Sequence, residues 1–463
     1  MHHTSCYTTR DSSLEIPTHR IVSRTVYIET YGCQMNVSDS ELMLGKLTAE
    51  GYVPVDGPEG ADVILVNTCA IRDHAEQRVL GRLGELKRHM KPDTVVGVTG
   101  CMAQRLGPRL LSAKHVSLVI GPDGYRALPA LVEGARRGER TVVTAFDLEE
   151  HYEDFAPKRF DKVKAWIPVQ RGCDYRCTYC IVPYTRGAER SRKLADVVRE
   201  TRDVVASGMS EVVLLGQTVN SYNDGAHDFA DLLRAVGSVP GVRRVRFTSP
   251  HPCDFSDRVI RMLAEVPAVC EHVHLPMQSG STSVLKRMLR RYSREQYFEC
   301  LARLRAAVPG LSVTTDIIVG FPGETDADFE ETLSAVQEAG FTDAFMFKFS
   351  PREGTPATRM PADWTVSDEV ASQRMDRLVE TVRAGARAQN LAMLGRKCEV
   401  LVEREARRGG DLWMARTRDF RSVLVPGDER MLGRYLTVEL TGTTGSTFTG
   451  AIVPERAALP LAV

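Results

Sequence analysis

Three cysteines of this chain each end a short run of β-branched residues, and this regularity restricts the fold. The runs TVYIETYGC, ADVILVNTC and TVVGVTGC end at Cys33, Cys69 and Cys101. Helical patterns separate them, over residues 38–50 with a Ser-Asp-Ser capping signal and over residues 71–90, which predicts βαβ units. Because parallel strands end along one edge of a sheet, we expect the three thiols to meet there. Three unrelated buried thiols are the alternative.

A second set of three cysteines lies close together in the sequence. Cys173, Cys177 and Cys180 stand in the stretch VQRGCDYRCTYCIVPYTRG. A loop of this size can wrap a compact iron–sulfur cluster, whereas zinc sites usually show a second CxxC or a pair of histidines. Zinc bound through Cys177 and Cys180 is the alternative. Because such clusters are usually held by four thiolates, a set of three leaves one iron open to bind a small molecule.

The length of 463 residues predicts several domains of overall class α/β. Residues 1–23 are predicted to be a disordered lead-in, residues 24–140 an N-terminal parallel βαβ domain, and residues 141–160 an acidic linker. Six strand patterns alternating with helices over residues 161–392 predict a partial, open (β/α)6 barrel with its functional groups at the C-terminal strand ends. Closely spaced short strands over residues 393–463 predict a small antiparallel β-barrel of the oligonucleotide-binding kind.

Composition restricts the partners only weakly. Sixty basic and sixty acidic residues cancel, but residues 157–193 and 286–294 are locally basic, which indicates either solvated helix faces or a polyanionic substrate. No apolar run is long enough to span a membrane. Eleven cysteines favour reduced thiols and metal ligation, and therefore a location in the cytoplasm. The absence of a heptad pattern predicts a monomer.

The motifs of the chain resemble those of a known family. The CxxxCxxC spacing with Tyr179 before the last cysteine is similar to the signature of the radical S-adenosylmethionine (SAM) enzymes. From about residue 25 to residue 453 the chain resembles the methylthiotransferases, with a three-cysteine domain, a radical SAM core and a TRAM domain in the same order. The motifs that carry this resemblance are YIETYGCQMNVSDSE, VNTCAIRDHAE, GCMAQR, GCDYRCTYCIVPYTRGAERSR, LLGQTVNSY, FTSPHP, HLPMQSGS, DIIVGFPGET and FSPREGTPA.

The stretch PYTRGAERSR is most similar to the MiaB-type branch, which modifies isopentenyladenosine in tRNA. Sister branches act on threonylcarbamoyladenosine in tRNA or on an aspartate of a ribosomal protein. The resemblance implies two 4Fe–4S clusters and SAM as cofactors. It also implies a low-potential electron donor and a source of sulfur as partners. A non-enzymatic RNA-binding protein stabilised by zinc or a cluster is the alternative of a different class.

The resemblance also implies how the two sets of cysteines divide the reaction. Cys173, Cys177 and Cys180 would hold the cluster whose open iron binds SAM, which is cleaved to a 5′-deoxyadenosyl radical. The first set would hold an auxiliary cluster that carries the sulfur, which a second SAM methylates. The radical removes hydrogen from C2 of the modified adenine, and the carbon radical then takes up the methylthio group. The two sets must therefore lie close enough for one base to reach both.

Further residues are predicted to contact the cofactor or the RNA. The predicted SAM contacts at or just past strand ends are Gln217, Ser249, Gln278 and Asp316, together with Tyr179. The residues predicted to contact anticodon-stem phosphates are Arg186, Arg190 and Arg192. For each of them the alternative is an ordinary loop, core or surface residue.

Overall fold

The computed structural model of the chain describes residues 24–70, 73–407 and 409–454. The predicted disordered lead-in, residues 1–23, lies outside the described residues. Three units follow one another: an N-terminal α/β sheet, a partial barrel and a small closed barrel.

The N-terminal unit is a six-stranded parallel sheet in the order β2-β1-β3-β4-β5-β6. Its strands are β1 (Thr25–Tyr31), β2 (Val53–Pro54), β3 (Val63–Thr68), β4 (Val95–Gly100), β5 (Leu118–Ile120) and β6 (Thr141–Val143). Its helices are α1 (Gln34–Ala49), α2 (Asp73–Leu86), α3 (Cys101–Leu106) and α4 (Leu128–Arg136). β3 and β4 are buried along their whole length, as central strands between two helical layers must be. The predicted parallel fold is confirmed.

The helix predicted over residues 38–50 begins earlier than the sequence indicated. α1 starts at Gln34, and the extended residue Cys33 precedes it and accepts the amide of Asn36 through its carbonyl. The Ser-Asp-Ser stretch is therefore not a cap but lies inside the helix, where Ser38, Asp39 and Ser40 are all buried. Asp39 and Ser40 make buried polar contacts with residues outside the helix.

The predicted linker, residues 141–160, is partly a component of the N-terminal unit. Its β-branched start forms β6 and pairs in parallel with β5 at the edge of the sheet. Further along, Tyr152 is buried in the apolar core of the N-terminal unit. Its ring stacks on that of Tyr125, with 5.8 Å between the ring centroids. The linker prediction is therefore wrong for these residues.

The central unit is an open barrel whose six main strands are parallel. Its strands are β7 (Lys164–Pro168), β10 (Glu211–Leu215), β11 (Arg244–Phe247), β12 (His272–His274), β13 (Ser312–Val319) and β14 (Asp343–Lys348), with a short hairpin of β8 (Gln170–Arg171) and β9 (Arg190–Ser191) after the first strand. Two halves, β7-β10-β11 and β12-β13-β14, are joined by a bridge between Val245 and Val269. The six strands confirm the predicted (β/α)6 barrel.

Helices cover the outer face of this barrel. The short helix α5 (Val182–Arg186) packs against α3 of the N-terminal unit, and the covering helices are α6 (Leu194–Ala206), α7 (Phe229–Gly237), α8 (Asp257–Glu265), α9 (Thr282–Arg287), α10 (Arg294–Ala307), α11 (Asp326–Ala339) and α12 (Asp368–Leu391). Every second strand residue, such as Val212, Leu214 and Ile317, packs beneath them in the main apolar core. The alternating positions face inward and are mostly polar or aromatic: Lys164, Trp166, Glu211, Arg244, Arg246, His272, His274, Thr314, Asp316 and Phe345.

Buried charge joins the N-terminal unit to the barrel through α1. The carboxylate of Asp39 is fully buried and accepts Nη1 of Arg171 at 3.0 Å and Nη2 of Arg186 at 2.7 Å. Two residues further along α1, Glu41 is also fully buried and accepts Nη1 of Arg159 at 2.9 Å. Both carboxylates belong to the N-terminal unit and all three arginines to the following segment, so these ion pairs fix the two units face to face.

The last unit is a closed five-stranded barrel in the order β15-β16-β17-β19-β18. Its strands are β15 (Lys397–Glu405), β16 (Leu412–Thr417), β17 (Ser422–Pro426), β18 (Tyr435–Thr443) and β19 (Thr447–Ile452). The prediction of an antiparallel barrel is confirmed for four of its pairings, whereas β17 and β19 pair in parallel to close it.

This C-terminal barrel packs against the N-terminal ends of the central strands. The contacts include Lys164–Glu403 at 3.0 Å, Arg244–Glu399 at 2.9 Å and the stacked rings of His272 and Phe420 at 4.5 Å. Lys164, Arg244 and His272 are each the first residue of their strand. The C-terminal strand ends are therefore left to the N-terminal unit.

None of the helices in the described residues combines the length and the apolar character that a membrane span requires.

We predict that Asp39→Asn destabilises the contact between the first two units, because Arg171 and Arg186 would stay buried without their counter-charge. Breaking a buried ion pair on one side typically costs about 3–5 kcal/mol. Denaturant unfolding of the full chain measures the loss. Asp56→Asn, at an exposed position, is the control and should change stability by less than about 0.5 kcal/mol. Equal effects of the two substitutions would contradict the role of Asp39.

Candidate active site between two sets of cysteines

The first set of cysteines lies where the parallel strands end. Cys33 follows β1, Cys69 follows β3 directly, and Cys101 is the first residue after β4. Gly32 has φ +145°, and a Cβ there would lie 2.6 Å from Cβ of Cys69. Gly100 has φ +88°, and its Cβ would lie 2.6 Å from the carbonyl oxygen of Thr68. The chain can bring these cysteines together only because glycine precedes two of them.

Two asparagines fix the loops that carry the first set. Asn67 Nδ2 donates to the carbonyl of Asn36 at 2.7 Å and to Oγ of Ser40 at 2.8 Å. Asn36 Nδ2 donates in turn to Asn67 Oδ1 and to the carbonyl of Thr68, both at 3.2 Å. Oδ1 of Asn36 accepts the thiol of Cys33 at 3.4 Å. This buried network holds the ends of β1 and β3 in register, so it positions Cys33 beside Cys69.

The second set lies on the loop that follows the first barrel strand. Gly172, with φ +76°, precedes Cys173, and a Cβ there would meet the carbonyl oxygen of Ala188 at 1.9 Å. Sγ of Cys173 lies 3.1 Å from Oγ1 of Thr218, which stands just past β10. The amide of Cys180 donates to the carbonyl of Cys177 at 3.0 Å. The loop is therefore turned back on itself at the C-terminal end of the barrel.

Gln170 ties this loop to the end of the next strand. Its Oε1 accepts the amides of Gln217 at 2.8 Å and Thr218 at 3.3 Å, and its Nε2 donates to the carbonyl of Gly172 at 2.8 Å. Gln170 was missed in the sequence because a lone glutamine in a strand carries no pattern. Gln170 acts indirectly, because by binding the amide of Thr218 it positions the Thr218 hydroxyl, which faces Cys173.

The two sets face each other across the contact between the units. Cys101 packs with Ala70 and Ile181 in one apolar cluster, and Ile181 directly follows Cys180. Cys33 packs with Met35 against Val213 and Leu215, which lie on the inner face of the barrel. The predicted face-to-face arrangement of the first two segments is therefore present in the structure.

Burial and neighbouring thiols determine the protonation of these cysteines. The hydrogen bond with Cys69 lowers the pKa of the Cys33 thiol to about 6. Burial raises the pKa of Cys101 and of Cys173, and it raises the pKa of Cys180 to about 12. A metal ion or cluster is bound by thiolates, so its binding here must release protons from the buried thiols.

The six thiols are chemically suited to iron–sulfur clusters. None of the six forms a disulfide, and among the described residues no three His, Cys, Asp or Glu side chains converge closely enough to ligate a single metal ion. A cluster binds each thiolate through a different iron, so its ligands are spread more widely than those of one ion. Two buried polar atoms near the cysteines, Nη1 of Arg186 and Oε1 of Gln217, have no partner in the described residues. A bound group could satisfy them.

Three of the residues predicted to contact SAM, Gln217, Ser249 and Gln278, lie just past the C-terminal ends of strands, whereas Asp316 lies within β13. Two of them, Ser249 and Gln278, have positive φ angles of 57° and 68°, which are strained for residues other than glycine. The amide of Gln278 donates to the carbonyl of Asp316 at 2.8 Å, so these two are neighbours. The ring of Tyr179 contacts Phe321 edge-on at 6.5 Å. Strained backbone of this kind is found preferentially at ligand sites.

An aromatic wall continues the inner face beside Asp316. Nε2 of His274 lies 3.3 Å from Oδ2 of Asp316, and the His274 ring contacts Phe345 edge-on at 5.7 Å. Phe345 is 56% exposed, and Phe347, two residues further along β14, is 38% exposed. The register places both rings on the same face as Asp316 and Ile318. Exposed phenylalanines inside a barrel indicate a surface that binds an apolar, flat partner.

The arginines predicted to contact phosphates are buried instead. Arg186 pairs with Asp39, Arg190 with Asp123, and Arg192 with Glu200. All three side chains are less than a tenth exposed. That part of the prediction is wrong: the carboxylate partners of Arg186 and Arg190 are 147 and 67 residues away in the sequence, and the partner of Arg192 is 8 residues away on α6.

Two further polar residues near the second set were also missed. Glu189 accepts Oγ of Ser221 at 2.7 Å, and burial raises the pKa of its carboxyl to about 7. Arg290 lies in the basic run 286–294, yet its Nη1 donates to Sγ of Cys177 at 3.4 Å. In the sequence this arginine could not be distinguished from its exposed neighbours.

Three parts of the chain match described families. Residues 25–121 match "Uncharacterized protein family UPF0004", residues 167–336 match "Radical SAM superfamily", and residues 391–453 match "TRAM domain". Fold and site thus define a radical SAM protein with an N-terminal three-cysteine unit and a C-terminal TRAM barrel.

Curated relatives define the family more closely. Over 93% of its length the chain is 44% identical to the tRNA-2-methylthio-N(6)-dimethylallyladenosine synthase of Geobacillus kaustophilus, covering 83% of that protein. The proteins of the same name from Porphyromonas gingivalis and Symbiobacterium thermophilum are each 41% identical, with 95% of each covered and 93% and 94% of this chain aligned. The chain therefore belongs to the family of tRNA-2-methylthio-N(6)-dimethylallyladenosine synthases, which confirms the predicted resemblance.

Solved structures share the fold at low identity. The radical S-adenosylmethionine methyltransferase TsrM from Kitasatospora setae has a TM-score of 0.56 at 16% identity, with 73% of this chain and 74% of that chain covered. The cobalamin-dependent S-adenosylmethionine radical enzyme OxsB has a TM-score of 0.52 at 14% identity, with 79% and 57% covered. They support the architecture of an α/β unit preceding a partial barrel.

We predict that Gly32→Ala removes the metal-binding capacity of the first set, because the new Cβ would lie 2.6 Å from both Cys69 Cβ and Asn36 Oδ1. After anaerobic reconstitution, iron and sulfide content should fall by the amount due to one cluster. Gly51→Ala is a matched control, since Gly51 also has positive φ but nothing lies within 4 Å of its added Cβ. An unchanged iron content in Gly32→Ala would show that the first set tolerates the displacement.

Proposed function

We propose that this protein adds a methylthio group to C2 of N6-isopentenyladenosine next to the anticodon of tRNA. The observation that carries the proposal is the meeting of two sets of three cysteines, none of which forms a disulfide, at the open end of the barrel. A protein that only binds RNA has no need of two such sets facing each other. The name of the curated relatives supplies the substrate.

The two sets have different roles in this proposal. Cys33, Cys69 and Cys101 hold an auxiliary 4Fe–4S cluster, and Cys173, Cys177 and Cys180 hold the cluster that binds SAM. When bound, these groups supply the radical that activates the ring C–H bond and the methylated sulfur that replaces hydrogen. The C2–H bond offers no acidic proton and no leaving group, so acid–base residues alone would not suffice.

The residues of the chain bind and orient what the clusters act on. Gln217, Ser249, Gln278 and Asp316 surround the C-terminal strand ends, where polar groups of SAM would replace the missing partner of Gln217 Oε1. Tyr179, on the loop of the second set, packs with Phe321 in an apolar cluster. The same ring contacts exclude water, which protects a radical from side reactions.

The aromatic wall favours the prenylated base over the substrates of the sister branches. Phe345 and Phe347 expose apolar rings toward the space beside Asp316. A dimethylallyl group is apolar and gains by contact with such rings, whereas a threonylcarbamoyl group or an aspartate side chain would lose hydration there. This observation distinguishes the first candidate from the second, a methylthiotransferase of threonylcarbamoyladenosine or of a ribosomal protein.

The remaining partners follow from the chemistry. A low-potential electron donor must reduce the SAM-binding cluster, and a sulfur source must replace the sulfur that each turnover removes. The C-terminal barrel would bind tRNA at the opposite end of the central strands. We place the working protein in the cytoplasm, where tRNA is modified, and as a monomer.

Nucleoside mass spectrometry on isopentenylated tRNA tests the function. Anaerobically reconstituted protein with SAM and a reductant should produce a 2-methylthio adenosine that is absent without the protein. We predict that Cys177→Ala abolishes SAM cleavage while the auxiliary cluster is retained, whereas Cys69→Ala leaves cleavage to 5′-deoxyadenosine intact but stops sulfur insertion. Cys398→Ala, in the C-terminal barrel, is the matched control and should retain both activities.

Two outcomes would contradict these assignments. Product formation by Cys69→Ala would refute the sulfur-transfer role of the first set. If the unaltered protein accumulates 5′-deoxyadenosine while the isopentenylated tRNA stays unchanged, the assignment of this tRNA as substrate would be refuted. Threonylcarbamoylated tRNA and ribosomal subunits would then be tested.

We predict that Phe345→Ala and Phe347→Ala weaken discrimination between prenylated and unprenylated tRNA. Loss of apolar contact with a five-carbon group should raise KM for the prenylated tRNA about 10-fold or more, consistent with about 1–3 kcal/mol for such contacts. Competition between the two tRNAs measures the ratio of their kcat/KM values. Leu391→Ala is the control, because Leu391 is similarly exposed at the end of α12, away from the inner face. An unchanged ratio in both phenylalanine variants would exclude the wall from base recognition.

A further inference from the structure

Arg290 is turned into the protein by strained backbone on both sides. It lies between α9 and α10, and its neighbours Leu289 and Arg291 have positive φ angles of 55° and 58°. Such angles are unfavourable for residues with a Cβ and persist only where the surroundings require them. The Arg290 side chain is buried at 6% exposure, whereas Arg291 is exposed. The chain thus accepts strain in order to direct one arginine of a basic run inward.

The buried guanidinium contacts a thiol and a phenol. Nη1 donates to Sγ of Cys177 at 3.4 Å, and Nε donates to the hydroxyl of Tyr292 at 3.0 Å. The Tyr292 hydroxyl donates onward to backbone carbonyls of the strand end after β12, at Pro276 and Met277. The hydroxyl is thereby oriented so that its oxygen accepts from Arg290. The side chain is held in place from both ends.

No carboxylate pairs with Arg290 among the described residues, and this distinguishes it from other buried arginines of the chain. Arg186, Arg244 and Arg374 are buried to a similar degree, and each forms an ion pair with Asp39, Glu399 or Glu324. A buried cation without an anion is strongly unfavourable. The group with which Arg290 is in contact, the sulfur of Cys177, is the only candidate among its hydrogen-bond partners to become anionic on cluster binding.

We propose that Arg290 is a positioning residue that supplies the counter-charge for the cluster held through Cys177 and thereby sets its reduction potential. The inference rests on the proposed ligation of a cluster by Cys173, Cys177 and Cys180. A positive charge next to the thiolate stabilises the reduced cluster, which carries one more negative charge, more than the oxidised one. Hydrogen bonds to cluster sulfurs act in the same direction. Arg290 therefore makes the electron transfer that starts the reaction easier.

A potentiometric titration followed by electron paramagnetic resonance tests the proposal on the reconstituted full chain. The cluster is identified by the change of its signal when SAM is added. In Arg290→Met we expect the equilibrium constant for reduction to fall about tenfold or more, which is about 59 mV for a one-electron couple. Arg290→Lys should recover part of the shift. Arg291→Gln removes the same charge from the adjacent exposed position and should shift the midpoint far less.

Thermal unfolding separates this role from simple packing. If Arg290 serves the cluster, Arg290→Met should leave the cluster-free protein as stable as before or more stable, while the stabilisation gained on loading the cluster decreases. Equal destabilisation of the loaded and cluster-free protein, or a midpoint shift no larger than that of Arg291→Gln, would overturn the proposal. Retention of both clusters in Cys177→Ala would instead refute the ligation on which it rests, and iron content distinguishes the two failures.

Discussion

The buried carboxylate of Asp39 is the contact on which the site depends. It lies on α1, the helix that begins directly after Cys33, and it pairs with Arg171 and Arg186, which flank the loop of the second set on either side. One carboxylate thus fixes the cysteine-bearing edge of the sheet against the cysteine-bearing end of the barrel. Because the ions are buried, a small relative movement of the two units would leave charges unpaired, and the arrangement is correspondingly rigid.

Local pattern was sufficient for the parts of this architecture that repeat. The β-branched runs ending in Cys33, Cys69 and Cys101 predicted a parallel sheet and the edge at which the thiols meet, and the strand–helix alternation predicted the half barrel. The partners of a charged side chain could not be predicted, since Arg186 and Asp39 are 147 residues apart. For the same reason the sequence predicts RNA contacts for Arg186 and Arg190. Arg290 cannot be distinguished from the other arginines of its basic run.

Glycine has a particular place in this protein, immediately before three of the six cysteines. Gly32, Gly100 and Gly172 all have positive φ, and at each a Cβ would collide with a neighbouring loop at 2.6 Å or less. At each of these turns the backbone before the cysteine lies against a neighbouring part of the chain. The position before the ligand therefore requires glycine. Around the same site, Ser249 and Gln278 adopt positive φ without being glycine. Strain is thus concentrated where the strands end and is tolerated because the surrounding packing is fixed.

The position of the C-terminal barrel limits which RNA molecules can use the site. It packs on the N-terminal ends of the central strands, whereas both sets of cysteines lie at the C-terminal ends. A strand of five residues is about 17 Å long. If the barrel holds RNA, the molecule must extend along the outside of the central unit by at least this length before its target base enters. Selection would then depend on the shape and reach of a folded RNA, and a free nucleoside would engage only one of the two ends.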